Sequence, residues 1–124
     1  MESSILNLFR SAENIQTFSA GETIFTVGST GREMYVVLEG SVDIRIGNKT
    51  LDVTEPGGVF GEMALIDSSA RSATAIARVD CILASVDERQ FLRMVEQRPT
   101  FTLNVMQILA GRLRRMDSML QFSY

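Results

Sequence analysis

Turn-forming residues break the chain at short intervals between Gly21 and Val86, at Gly28–Gly31, Gly40, Gly47–Asn48 and Pro56–Gly58. The residues between these breaks follow a strand pattern. Val42, Ile44 and Ile46 alternate with Ser41, Asp43 and Arg45, the period of a half-buried strand. Gly47–Asn48 reads as a tight hairpin turn, and Leu51 and Val53 continue in the return strand until Pro56 stops it. Ala73–Val79 and Cys81–Val86 read as two further strands. Several short strands at this spacing fit a sandwich or a jelly roll.

The two ends read differently. Ile5, Leu6, Leu8 and Phe9 suggest a short amphipathic helix, and the polar segment from Ser11 to Thr17 reads as a loop or frayed turn. Asp87 is a helix N-cap with Gln90 as its capping-box partner, and Phe91, Leu92 and Val95 form the expected buried face. That helix ends by Arg98, because Pro99 disfavours helical geometry in the residue before it. Pro99 suits the first turn of a second helix, expected to reach about Gln121. Met106, Leu109, Leu113, Met116 and Leu120 give it an apolar seam over about two heptads. Either the seam packs on the chain's own sheet, or it pairs two copies as a homodimer.

Composition removes several function classes. There is no histidine and one cysteine, Cys81, so His-assisted nucleophilic catalysis is absent and a transition-metal site is not expected. Cys81 lies in an apolar run and reads as an inert core thiol. A net charge of −3 gives no electrostatic footprint for direct contact with nucleic acid. No apolar run approaches a membrane span, and the first residues do not form a secretory signal, so a cytoplasmic location is expected. The Met1 start and the end at Tyr124 are read as those of an entire small protein.

The stretch Phe60-Gly61-Glu62-Met63-Ala64-Leu65, followed after a short loop by Arg71-Ser72-Ala73-Thr74, carries the chemistry. It sets a carboxylate and a guanidinium nine positions apart around a short apolar turn. Arginine is a fixed cation with a planar fork of donors suited to phosphate, and glutamate is an acceptor suited to a sugar hydroxyl. A short helix starting near Glu62 would aim free amides at the same anion. A ribose carrying a phosphate satisfies all three features. The bland alternatives are a solvated Glu62 and a surface ion pair of Arg71 with Asp67 or Glu62.

This stretch resembles the phosphate-binding cassette of the cyclic-nucleotide-binding domain family. Gly21-Glu22-Thr23-Ile24-Phe25 and Met34-Tyr35-Val36-Val37-Leu38-Glu39-Gly40 also read like that family's early strands. The resemblance covers about Phe18 to Arg115. It implies a mainly β fold: an eight-stranded β-roll with flanking N- and C-terminal helices and a short cassette helix. A single domain over 1–124 is expected, with an N-terminal helical segment at 1–17, the roll at 18–86 and C-terminal helices at 87–122. Glu62 matches the glutamate that accepts from the ribose 2′-hydroxyl, and Arg71 the arginine that pairs with the exocyclic phosphate oxygens. Gly61, Met63 and Ala64 match positions around the cyclic phosphate, with Met63 equally readable as core, and Ser72 follows the arginine. Arg112 or Arg115 would cap the base as a lid, or both belong to a solvated basic face with Arg114.

The ligand expected from this resemblance is cAMP rather than cGMP, bound without catalysis by a regulatory sensor whose last helix responds. No cofactor is implied, and the downstream protein partner is unknown. Two alternatives stand beside it. One is the ligand-binding part of a transcription regulator, channel or kinase cut from a longer chain. The other is a dimerisation module independent of nucleotide. Ala70 departs from the family, where proline often precedes the arginine, and the segment before Gly21 looks short.

Overall fold

The computed structural model describes residues 14–66 and 68–120, with side chains as far as Arg115. Among the described residues, eight strands and three helices follow in chain order: β1 Ile15–Phe18, β2 Thr23–Phe25, β3 Glu33–Glu39, β4 Val42–Ile46, β5 Lys49–Thr54, β6 Val59–Phe60, α1 Met63–Ile66, β7 Thr74–Ala77, β8 Cys81–Asp87, α2 Glu88–Gln97 and α3 Pro99–Leu120. The strands form two four-stranded sheets with orders β1-β8-β3-β6 and β2-β7-β4-β5, and every pairing is antiparallel. This is the mainly β roll with C-terminal helices that the sequence predicts.

Strand β3 shows why the two layers stack. Successive side chains on a strand point to opposite faces. Met34 and Val36 pack with Val59, Ala84, Val86, Phe101 and Val105, in a core between one sheet and the helices. Tyr35 and Val37 pack with Val42, Phe60, Ala75, Ala77 and Leu83, in a core between the two sheets. Both faces are buried, which is why β3 reads as a continuous apolar run and not as an alternating one. The β4–β5 hairpin closes with Ile46 opposite Lys49, so Gly47 and Asn48 form its turn as expected.

Asp87 caps α2 as its sequence requires: its carboxylate accepts from the Gln90 amide at 2.8 Å, and the Gln90 side chain accepts from the Asp87 amide at 3.0 Å. The helix stops at Arg98, whose amide donates to the Met94 carbonyl at 2.7 Å, and Pro99 opens α3. Phe91 meets Phe101 edge-on at 5.8 Å, which joins the two helices.

Several sequence expectations need correction. Ile15–Phe18 is a strand paired with β8, not a loop or helix, so the roll begins before residue 18. Only Ile15 and Phe18 are apolar there, and no alternation announces the strand; its order comes from the ladder to residues 81–84. Leu92 is 57% exposed, and Met94 takes its place with Phe91 against the core. The strand expected over 73–79 is shorter, Thr74–Ala77. The helix expected around Ile5–Phe9 lies outside the described residues.

Candidate functional site

The cassette runs from the end of β6 through α1 to β7. The four-residue helix α1 closes on itself, because the amides of Ala64, Leu65 and Ile66 donate to the carbonyls of Gly61 and Glu62. Those three amides are therefore committed within the turn, and fewer face outward than the sequence suggests. Ser68, at φ 59°, takes the left-handed backbone that bends the chain back toward Arg71.

Arg71 is buried, at 6% exposure, and not on the surface. Its amide donates to the Ser29 carbonyl and its carbonyl accepts from the Gly28 amide, both at 2.8 Å. Nη1 donates to the Gly61 carbonyl at 3.0 Å and Nη2 to the Glu33 carbonyl at 2.8 Å. Cζ lies 4.1 Å from the centre of the Phe25 ring, a cation–π contact. Nε is buried with no acceptor. Burial pushes the guanidinium below its ordinary pKa, opposed by the charges of Tyr35, Glu33 and Glu62. Burial likewise pushes the Tyr35 phenol up, aided by Glu33 and opposed by Arg71. A desolvated arginine held by two neutral carbonyls, with its Nε–H unused, is suited to an anion.

Glu62 is also 6% exposed, so it is not a solvated surface carboxylate. Its partner is Arg112 on α3: Arg112 Nη1 donates to Glu62 Oε1, and Nη2 donates to the Val59 carbonyl. Arg112 Nε also reaches Asp52 Oδ2 on β5 at 3.3 Å, and Arg115 Nη2 reaches the same oxygen at 3.1 Å. Arg112 and Arg115 thus share a helix face, as their spacing predicts, and Arg114 is exposed without reaching Asp52. Arg112 is partly buried, whereas Arg115 stays exposed on its ion pair with the same hairpin carboxylate.

The remaining expected residues divide. Gly61 adopts φ 78°, and a Cβ there would come within 2.8 Å of Arg71 Nη1, so glycine is required both by backbone and by space. Ala64 is buried, but Met63 is 42% exposed and is therefore not core. Ser72 is exposed beside Arg71. Asp67 lies outside the described residues. Sequence reasoning missed Phe25, Gly31, Asp52 and the carbonyls of Glu33 and Val59. Carbonyl acceptors leave no trace in residue type, and Gly31 reads only as part of a turn. A groove of about 940 Å³ adjoins the cassette, bounded by Gly31, Ala64, Ser68, Asp87 and Leu92, and neither Glu62 nor Arg71 lines it. The candidate site is placed at the two buried opposite charges, because Arg71 is buried with no carboxylate partner among the described residues and Glu62 stands at the other end of the same cassette.

The exposed apolar side chains of α3 also differ from the expected seam. Met106 and Leu113 are exposed, at 59% and 63%, together with Leu103, while Leu109 packs on the core. Met116 and Leu120 have no described side chains. Among the described residues no helix is long and apolar enough to cross a membrane.

Comparison with known proteins identifies the family of the fold. The cyclic AMP receptor protein of Thermus thermophilus is 34% identical over 105 residues, 81% of this chain and 49% of that protein. The cAMP-dependent protein kinase regulatory subunit of Eremothecium gossypii is 36% identical over 77 residues, 62% of this chain and 17% of that protein. The chain therefore spans half or less of these relatives. The crystal structure of Thermus thermophilus catabolite activator protein superposes with a TM-score of 0.80 and 32% identity, over 95% of this chain and 58% of that one. The sequence model described as the cyclic nucleotide-binding domain matches residues 15–98, and the chain belongs to that family.

Proposed function

We propose that this domain binds a cyclic purine nucleotide, cAMP in preference to cGMP, without turning it over, and acts as a regulatory sensor. The observation that carries the reading is the pair of buried opposite charges, Glu62 and Arg71, set on the two arms of one cassette. Arg71 takes the exocyclic phosphate oxygens, for which its unpartnered Nε and its desolvated charge are suited. Glu62 accepts from the ribose 2′-hydroxyl. Gly61 and Ala64 give clearance around the cyclic phosphate, and Met63 and Ser72 flank it from the exposed side. The preference for cAMP is supported by the relatives, named for cyclic AMP.

Helix α3 reports the ligand. Arg112 already joins it to Glu62, so a hydroxyl arriving at that carboxylate shifts the balance of contacts holding the helix. Arg112 or Arg115, released from Glu62 and Asp52, would close over the base as a lid. The exposed Leu103, Met106 and Leu113 fit pairing of two copies through α3. The domain works in the cytoplasm on an unidentified downstream protein, without direct contact to nucleic acid or membrane. Because the chain matches half or less of its curated relatives, the same domain would also serve as the ligand-binding part of a longer regulator.

The test is calorimetric titration of the wild-type protein and Arg71→Ala with cAMP and then cGMP. Micromolar or tighter binding, weakened at least about tenfold by Arg71→Ala, is expected from the loss of a charge-assisted contact. No heat and no thermal shift with either nucleotide would overturn the reading and leave an interaction module working through α3.

A further inference from the structure

We propose that Gly31 and Phe25 form a slot that positions the Arg71 guanidinium, so that the loop between β2 and β3 sets the affinity for a phosphate-bearing ligand. The proposal rests on the reading of Arg71 as the phosphate contact and adds the residues that aim it.

Gly31 has no positive φ, so its backbone does not require glycine. Space does. A Cβ at residue 31 would lie 2.5 Å from Arg71 Nε and 2.6 Å from Cζ, and closer still to Nη2. Non-bonded heavy atoms settle at roughly 3.5–4.0 Å. A methyl group there displaces the guanidinium by about an ångström, enough to misalign its bonds to the Gly61 and Glu33 carbonyls at 3.0 and 2.8 Å. Phe25 supplies another wall of the slot, with its ring centre 4.1 Å from Cζ. That ring is fixed in turn by Phe60 at 5.9 Å and Tyr35 at 6.2 Å.

The loop is coupled to Arg71 through the backbone as well. Gly28 and Ser29 bond the Arg71 carbonyl and amide, and the Val27 amide donates to Thr74 Oγ1 at 3.0 Å. Among the described residues no carboxylate pairs with the Arg71 guanidinium: its hydrogen-bond acceptors are neutral carbonyls. Shape, and not a fixed counter-charge, therefore holds the cation in place, and its charge is left for the ligand. Gly31 and Phe25 are positioning residues on this account; neither contributes a polar group to the ligand.

The experiment measures cAMP and adenosine affinities for wild-type, Gly31→Ala, Phe25→Leu and a Thr30→Ala control. The ¹⁵N–¹H resonance of the Arg71 Nε–H, assigned with Arg71→Lys, is followed in the free proteins. Gly31→Ala is expected to lose tenfold or more for cAMP and to leave adenosine, which has no phosphate, unchanged. Phe25→Leu is expected to lose several-fold for cAMP. Both variants move the Arg71 resonance, and Thr30→Ala moves nothing. Equal losses for cAMP and adenosine, wild-type cAMP affinity in Gly31→Ala, or an unmoved resonance would overturn the slot. Should Gly31→Ala fail to fold, Phe25→Leu decides by the same criteria. Should wild-type bind no nucleotide, the binding reading fails by itself, and the resonance alone decides whether the slot exists.

Discussion

Replacing Arg112 with methionine tests how α3 is tied to the cassette. The side chains of Arg112 and Glu62 are 20% and 8% exposed, so the pair is largely out of water. Removing the arginine leaves a buried carboxylate without its counter-charge and the Val59 carbonyl without its donor. Breaking a fully buried pair from one side costs about 3–5 kcal/mol. Arg112 retains some access to water, and water can re-enter beside Glu62, so we expect about 2–3 kcal/mol. For a domain of this size that lowers Tm by on the order of 10 °C. Urea denaturation of wild-type, Arg112→Met, Glu62→Gln and the double variant completes a double-mutant cycle. The double variant should be more stable than Arg112→Met alone, because neither charge is then stranded, and the coupling should be at least about 1 kcal/mol. Single effects that add within about 0.5 kcal/mol would refute the reasoning and make the contact incidental.

Other outcomes follow from the same structure. Asp87→Ala removes the reciprocal cap of α2 and should cost about 1 kcal/mol, with Gln90→Ala partly non-additive to it, read by thermal denaturation. Burial raises the Cys81 thiol pKa, so its contribution to stability is fully present below the ordinary thiol value of about 8.5 and is lost as pH rises through the raised value. Unfolding free energy should therefore fall in alkali, and less so in Cys81→Ala; identical slopes would contradict this. Leu113→Glu together with Met106→Glu should shift any dimer to monomer in sedimentation without lowering Tm, since both side chains are exposed.

Much of this was readable from residue types. The Asp87–Gln90 box, the Gly47–Asn48 turn and the break at Arg98–Pro99 each depend on local chemistry, and each stands where its residues require. Glu62 and Arg71 stood out by their chemistry and their place in a stretch that resembles the family's cassette, and the structure finds both buried. What escaped depends on distant partners. Strand β1 is ordered by β8, some 65 residues away, and its own pattern is weak. The partners of Arg112 come from β5, the start of β6 and the cassette, 50 to 60 residues upstream. The role of Gly31 depends on a side chain 40 positions later, and a missing methyl group announces nothing by itself. On α3, heptad spacing identified apolar positions but not which of them the sheet would claim, and Leu109 went to the core.

The join between β8 and α2 has a mechanical consequence. Asp87 is both the last residue of the strand and the cap of the helix, so α2 leaves the sheet with no slack. The first place where the chain can pivot is Arg98, just before Pro99. At about 1.5 Å per residue, Arg112 sits roughly 20 Å from that fulcrum and Leu120 roughly 32 Å. A rigid swing of α3 driven at the Glu62 tether would be magnified about 1.6-fold at the far end of the helix. On the proposed reading the domain would be geared: a sub-ångström rearrangement at the Glu62 tether would become a larger stroke at the end of α3.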